Sequence, residues 1–317
     1  MIEHTLTGLD GRNPLGFLAA IGLLRVLDDD AERREVGRPR LAFESATAVA
    51  VISSDLAFDA IVELVLSDAA AQGDNRALLL AYTADGELAL PGAEKAIRDL
   101  KPKPHIAARF LRELAAQPRR ASGLAAAWFS ELVQDNNGNS KPTAFHFTAG
   151  QQTFLEMVEA LRAGIVAADV REALLGPWDN TSRLPSLSWD SSVTRLYALR
   201  ANNPSGERRG SVPAANWLGV LALEAFPVVA IGDELVTTAV DGRWKDSVFR
   251  WPLWQPAATF RSVCSLLRVD ARMWTAAERL ALGITEVMGA DISRSDQGGY
   301  GSFSPSHVEL PAGRNRK

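Results

Sequence analysis

A single cysteine, Cys264, stands in 317 residues, which excludes a disulfide framework and any Cys-x-x-Cys redox or zinc motif. The four histidines, His4, His105, His146 and His307, are scattered, and no His-x-x-x-His pair places two imidazoles on one helix face. There is no Gly-x-x-x-x-Gly-Lys loop for a nucleoside triphosphate and no Gly-x-Ser-x-Gly elbow. The carboxylates Asp28-Asp29-Asp30 read as a solvated helix end, and no second carboxylate group at a recognisable spacing turns them into a two-metal nuclease site. Neither enzymatic activity, nor a metal, nor a cofactor is expected from these residues. No apolar run reaches the roughly 18 residues that span a bilayer, because the stretch from Leu15 carries Arg25 and stops at Asp28. Met1-Ile2-Glu3-His4 lacks the basic region of a secretion signal, so with one cysteine the expected compartment is a reducing cytoplasm without membrane contact.

What is present is a globular composition, 47% hydrophobic and 23% charged, enough apolar material at this length for a large core and against a disordered chain. The organising stretch is Gly8 to Leu27. Asn13-Pro14 is a helix start, Asn capping orphan N–H groups and Pro surrendering a donor that had no partner. Leu15, Phe17, Leu18, Ile21, Leu24, Val26 and Leu27 then cover almost the whole circumference, with Arg25 as the only charge, so this helix belongs inside the protein. Gly16, Ala20 and Gly22 would let a second backbone approach. Val212-Pro213 opens another nearly all-apolar helix, to about Phe226. Period-2 segments at 2–9, 41–53, 228–231 and 235–240 read as strands. The predicted fold is α+β, helices packed on mainly antiparallel sheet, with two apolar central helices.

Two α+β domains are expected, 1–176 and 177–317, divided near Gly176-Pro177 and able to form one continuous unit. Their charge differs: 18 Lys+Arg against 24 Asp+Glu before the boundary, 16 against 14 after it. In the first, two helices are predicted over Pro104–Val133, another from Pro91, and a solvated loop over 28–40. His146, between Phe145 and Phe147, reads as a half-buried sheet residue. Trp251 and Trp254 read as core, and Cys264 as a buried apolar residue.

Three loops carry chemistry suited to nucleic acid. Gln134–Pro142 is polar and uncharged but for Asp135 and Lys141, and offers Asn137, Asn139 and Lys141. The stretch 202–211 carries Arg208 and Arg209. The glycine-rich segment 292–303 places Arg294, Gln297 and Tyr300 where backbone can approach a phosphate closely. Arginine and lysine would contact phosphate, Gln297 a base edge, and Tyr300 would stack or wedge. Each stretch also reads as an ordinary turn.

The opening Gly8-Leu-Asp-Gly-Arg-Asn-Pro-Leu-Gly-Phe-Leu-Ala-Ala-Ile-Gly-Leu-Leu-Arg25, the central Phe145-His-Phe-Thr-Ala-Gly-Gln-Gln152, and Trp189-Asp190, Arg195-Leu-Tyr-Ala-Leu199, Asn203-Pro204-Ser205, Asn216-Trp217-Leu218, Phe226-Pro227 and Trp251-Pro-Leu-Trp254 together resemble large-subunit or accessory-subunit families of CRISPR–Cas type I effector (Cascade-like) complexes, type I-U/I-G branch. The resemblance implies a non-catalytic subunit of a crRNA-guided antiviral DNA surveillance complex. Its partners would be the other effector proteins, crRNA and target DNA, with a helicase-nuclease recruited in trans. In such complexes guide pairing reads the sequence, while the large subunit reads the short PAM and holds the non-target strand. Two rival readings are a structural protein-interaction subunit without direct DNA contact, and an unrecognised metal-dependent nuclease or hydrolase using dispersed carboxylates.

Overall fold

Strand β1 (Ile2–Asp10) runs through the turn at Gly11 into helix α1 (Pro14–Arg33). Asn13 is extended, its side-chain oxygen accepts the Leu15 N–H at 2.9 Å, and Pro14 occupies the first helical turn. In the computed structural model, which describes residues 1–148, 152–193, 210–243, 246–294 and 301–311, every residue from Pro14 to Asp28 is buried. The helix also runs past the point where the acidic run was expected to end it. Asp28 and Asp30 are 4% and 8% exposed, because Arg38 lies 3.2 Å from Asp28 and Arg34 lies 2.6 Å from Asp30. Pairing removes the reason for those carboxylates to seek water, so they are not a solvated helix end.

Strands β2 (Arg40–Phe43) and β3 (Val49–Ser54) complete a sheet of order β1-β3-β2, with β3 alternating strictly between half-buried and buried positions. Helices α2 (Phe58–Ala71), α3 (Pro104–Ala115) and α4 (Arg119–Ala125) follow. The helix expected to continue to Val133 stops at Ala125. Phe129-Ser-Glu-Leu-Val-Gln134 is instead strand β4 (Phe129–Gln134), paired with β5 (Ser140–Pro142). No helix forms from Pro91. Tyr82 bridges to both Leu88 and Ile97, and the residues between make turns. Helices α5 (Phe154–Gly164) and α6 (Ala167–Leu175) lead to α7 (Pro213–Ala222), all ten residues of which are buried. Beyond it come the hairpin β6 (Val228–Ile231) and β7 (Glu234–Thr237), then β8 (Val240–Asp241), β9 (Val248–Trp254), α8 (Phe260–Leu267), α9 (Ala276–Ala281), β10 (Ile284–Arg294), β11 (Gly301–Phe303) and β12 (His307–Val308). The second large sheet has the order β11-β10-β9-β8, with β12 also on β10. All described strand pairs are antiparallel. The fold is α+β.

Helices α1 and α7 cross at its centre. Gly22 lies so close to α7 that a Cβ there would sit 1.8 Å from the Leu218 carbonyl oxygen, which is the close approach its lack of a side chain permits. One hydrophobic core contains residues from both sides of Gly176-Pro177. Its aromatic centre joins the two sheets: Phe17 packs against Phe43 of β2 and against Phe249, Trp251 and Trp254 of β9. Burying an indole strands its N–H unless a carbonyl meets it. Trp251 donates to Gly11 at 2.8 Å, Trp254 to Leu41 at 2.7 Å, Trp189 to Phe145 at 3.0 Å and Trp128 to Ala77 at 3.0 Å. Among the described residues no helix is long and apolar enough to cross a membrane.

Candidate nucleic-acid interface

The polar stretch around Asn137 closes the β4–β5 hairpin. Asp135 organises it: its carboxylate accepts the N–H groups of Asn137 at 2.9 Å and Asn139 at 3.0 Å, and its own N–H donates to the Asn139 carbonyl at 2.8 Å. These contacts use the backbone of Asn137 and Asn139, as an Asx turn does. Lys141 lies on β5, opposite Ser130 of β4. It faces an open cleft of about 720 Å³ between the β4–β5 hairpin, the β6–β7 hairpin and the end of β10. Arg294 lines the same cleft, so two candidates 153 positions apart in sequence meet at one place.

The cleft recruits residues that the loop-based reading passed over. Gln134, Asn136 and Arg243 line it, whereas Asn137 and Asn139 do not. Strand periodicity is the signal that could have found the first two: Gln134 and Asn136 keep one parity as β4 enters its turn. Arg243 is matched to Glu234 by an ion pair, and Asp241 meets Arg250 at 2.9 Å and Arg272 at 3.1 Å. Glu234 and Asp241 are thus paired, Asp233 adds a further carboxylate to the lining, and the Lys141 side chain, which has no hydrogen bond or ion pair among the described residues, supplies an available cation.

Arg294 has a different part to play from the loop arginine expected. Its guanidinium donates to the Ala144 carbonyl at 2.8 Å and the His146 carbonyl at 3.4 Å, and lies 5.4 Å from the centre of the Phe147 ring. Burial pushes its pKa down to about 10, which leaves it charged at neutral pH. It ties the end of β10 to the 144–147 segment and contributes positive charge to the cleft wall. Arg208, Arg209, Gln297 and Tyr300 lie outside the described residues.

Beneath Arg294, His146 is buried at 2% exposure rather than half-buried, and it follows the turn at Ala144-Phe145 instead of lying in a strand, its N–H closing that turn on the Thr143 carbonyl at 3.1 Å. Its Nε2 donates to Asp99 at 2.7 Å, and the Phe154 N–H donates to the same carboxylate oxygen at 3.0 Å. Burial alone would raise the Asp99 carboxyl. The facing His146 and the N–H groups of Phe154 and Leu100 outweigh that and hold it below the ordinary carboxylate value. A carboxylate depressed in the folded state contributes stability that is full above its unfolded pKa, near 3.8, and lost as pH falls through the folded value. Asp99→Asn should therefore lower stability at neutral pH and flatten its decline below about pH 4. Chemical denaturation at a series of pH values tests this; an unchanged acid limb would show that the contact is not coupled to folding.

Arg25, the one charge on the apolar face of α1, has its partner far along the chain. The single 3-10 turn after α7 presents Glu224, 2.6 Å from the Arg25 Nε, and Asp29 pairs with the same guanidinium. Arg120 of α4 continues the network to Asp29 at 2.5 Å and Asp68 of α2 at 2.9 Å. Desolvation opposes the Arg25 charge, but Glu224 and Asp29 more than compensate and hold its pKa above the ordinary arginine value. Cys264 is half-buried, and burial pushes its thiol up to about 11, which makes it a poor nucleophile at neutral pH. Among the described residues no group of three or more His, Cys, Asp or Glu side chains is placed to hold a metal ion. No protein-family model matches the chain, and no curated protein or solved structure matches it either.

Proposed function

We propose that this chain is a subunit of a crRNA-guided DNA surveillance complex of the type I-U/I-G branch, that it performs no chemistry itself, and that its polar cleft faces nucleic acid. The observation that carries this reading is the convergence of Lys141, Arg294 and the amides of Gln134 and Asn136 on one open cleft. Lysine suits phosphate, the charge of the buried Arg294 makes the cleft wall more positive, and side-chain amides suit sugar or base edges. The rest of the phosphate neutralisation falls to the other subunits, crRNA is held by the assembly, and the helicase-nuclease arrives in trans.

Affinity purification of the chain from its native host, with sequencing of the bound RNA, tests the reading. Short repeat-derived RNAs together with other effector proteins are expected. Recovery of the chain alone, or with unrelated proteins and no such RNA, would sink it. Within the purified complex, Lys141→Ala should weaken target-DNA binding and reduce the slope of log affinity against log salt by about one.

A subunit that only binds proteins is the second reading, and the β6–β7 hairpin favours it. Val229, Ile231 and Val236 are 55%, 62% and 37% exposed, and Val229 pairs directly across from Val236, so they form one bare apolar face. An Ile231→Asp variant that no longer assembles, alongside a Lys141→Ala complex with unchanged salt slope, would favour that reading.

A further inference from the structure

On the other side of the β6–β7 root lies a second opening that neither reading uses. Pro227 lines it, while the Pro227 carbonyl accepts the Thr238 N–H at 3.1 Å, next to Thr237 of the first cleft. This groove, about 400 Å³, lies between α4 and α8. Arg119 of α4 stands on one wall, and Arg261 and Arg268 of the α8 segment stand on the other. Arg261 and Arg268 are exposed and seven positions apart, two turns along the same helix face and about 10 Å by helical rise. Neither forms an ion pair among the described residues, whereas Arg25 and Arg120, nearer the centre, do.

The walls are held before any ligand arrives. Glu224, at the base of the groove, is bonded to Arg25 and lies 3.7 Å from Arg119. A Cβ on Gly123 would come within 2.5 Å of the Glu224 Cγ, so α4 is seated directly on that side chain. Because the Glu224 charge is met from below by Arg25, the guanidiniums at the rim present a net positive opening. Between them Ala126, Pro227 and the half-buried Cys264 give the lining an apolar part, with the Ser122 and Ser265 hydroxyls beside it. Phe260 also contributes, but it is 1% exposed and the Arg25 guanidinium lies 5.2 Å from its centre, so it offers no open face on which a base could stack.

From this geometry we infer that the groove docks an acidic segment of a partner protein, its Asp or Glu side chains meeting Arg261 and Arg268 while an apolar residue between them enters the lining. Guanidinium forks match carboxylates in bidentate pairs, and the apolar part of the lining offers an apolar side chain the burial that a phosphodiester backbone cannot use. The inference does not rest on the guided-complex reading, since it concerns a different opening and a protein ligand.

Fluorescence polarisation of the full chain with two labelled probes tests it: a ten-residue peptide alternating aspartate and leucine, and a ten-nucleotide oligothymidylate. The peptide should bind, more tightly than the oligonucleotide at equal salt. Arg261→Ala with Arg268→Ala should weaken it about tenfold, as two solvent-facing pairs of roughly 0.7 kcal/mol each would require. Arg261→Glu with Arg268→Glu should lose that peptide and bind its lysine-leucine counterpart. Both positions are exposed, and circular dichroism with thermal melting checks that the variants fold. No peptide binding by the wild-type chain, tighter binding of the oligonucleotide, or equal peptide binding by folded wild type and variants would each overturn the proposal.

Discussion

Glu224→Ala should lower the unfolding free energy by about 3 kcal/mol or more, because it leaves a buried guanidinium short of a counter-charge. Arg25 is 3% exposed and sits in the middle of α1. Water cannot replace the lost carboxylate without opening the helix packing, and Asp29 alone would remain on that guanidinium. The measurement is urea denaturation at neutral pH, read as a fall in midpoint at constant slope. The informative companion is Arg25→Leu combined with Glu224→Leu. That pair removes both charges together, and Asp29 keeps its contact with Arg120, so most of the stability should return. If the double variant is as unstable as Glu224→Ala, the network stabilises by its own attraction and not merely by avoiding an unpaired charge.

Gly22→Ala should be destabilising by about 3 kcal/mol, although alanine is the better helix former by about 1 kcal/mol. The added methyl would stand 1.8 Å from the Leu218 carbonyl oxygen and 2.6 Å from its carbon. Those atoms are backbone of a helix buried on every side, so neither can step aside as a flexible side chain would. The helices must separate, and the aromatic contacts that Phe17 makes on the same helix separate with them. Gly37→Ala is the control, since the nearest atom to a Cβ there is the Met1 sulfur at 4.0 Å; it should stay within about 0.5 kcal/mol of wild type. Equal urea midpoints for Gly22→Ala and wild type would show that α1 and α7 can repack, against the close crossing described here.

Some features of this molecule follow from local chemistry alone. The Asn13-Pro14 start of α1, the all-round burial of α1 and α7, the strands near the N-terminus and the core placement of Trp251 and Trp254 are each written in a few adjacent residues. Capping, apolar circumference and period-2 alternation act over distances shorter than one element, so they survive without knowledge of the rest. The small residues of α1 are legible as places of close approach, and the structure supplies the partners, α7 at Gly22 and the Asp10 backbone at Gly16. Other features needed the fold. Asp28 and Asp30 look solvent-bound until Arg38 and Arg34 fold back onto them. Phe129–Gln134 follows a helix and contains good helix formers, yet it pairs as a strand because β5 returns beside it.

The candidate cleft divides in the same way. Lys141 and Arg294 were identifiable by residue type, but their meeting depends on β4–β5, β6–β7 and β10 being brought together from three separate stretches of chain. Arg25 was visible as an anomaly on an apolar helix, whereas its partner Glu224 lies 199 positions away. Sequence determines what each segment can do through interactions with its neighbours in the chain. Tertiary structure decides which charges are paired, which remain available, and which surfaces they share, because those are set by distances between residues that no local pattern relates.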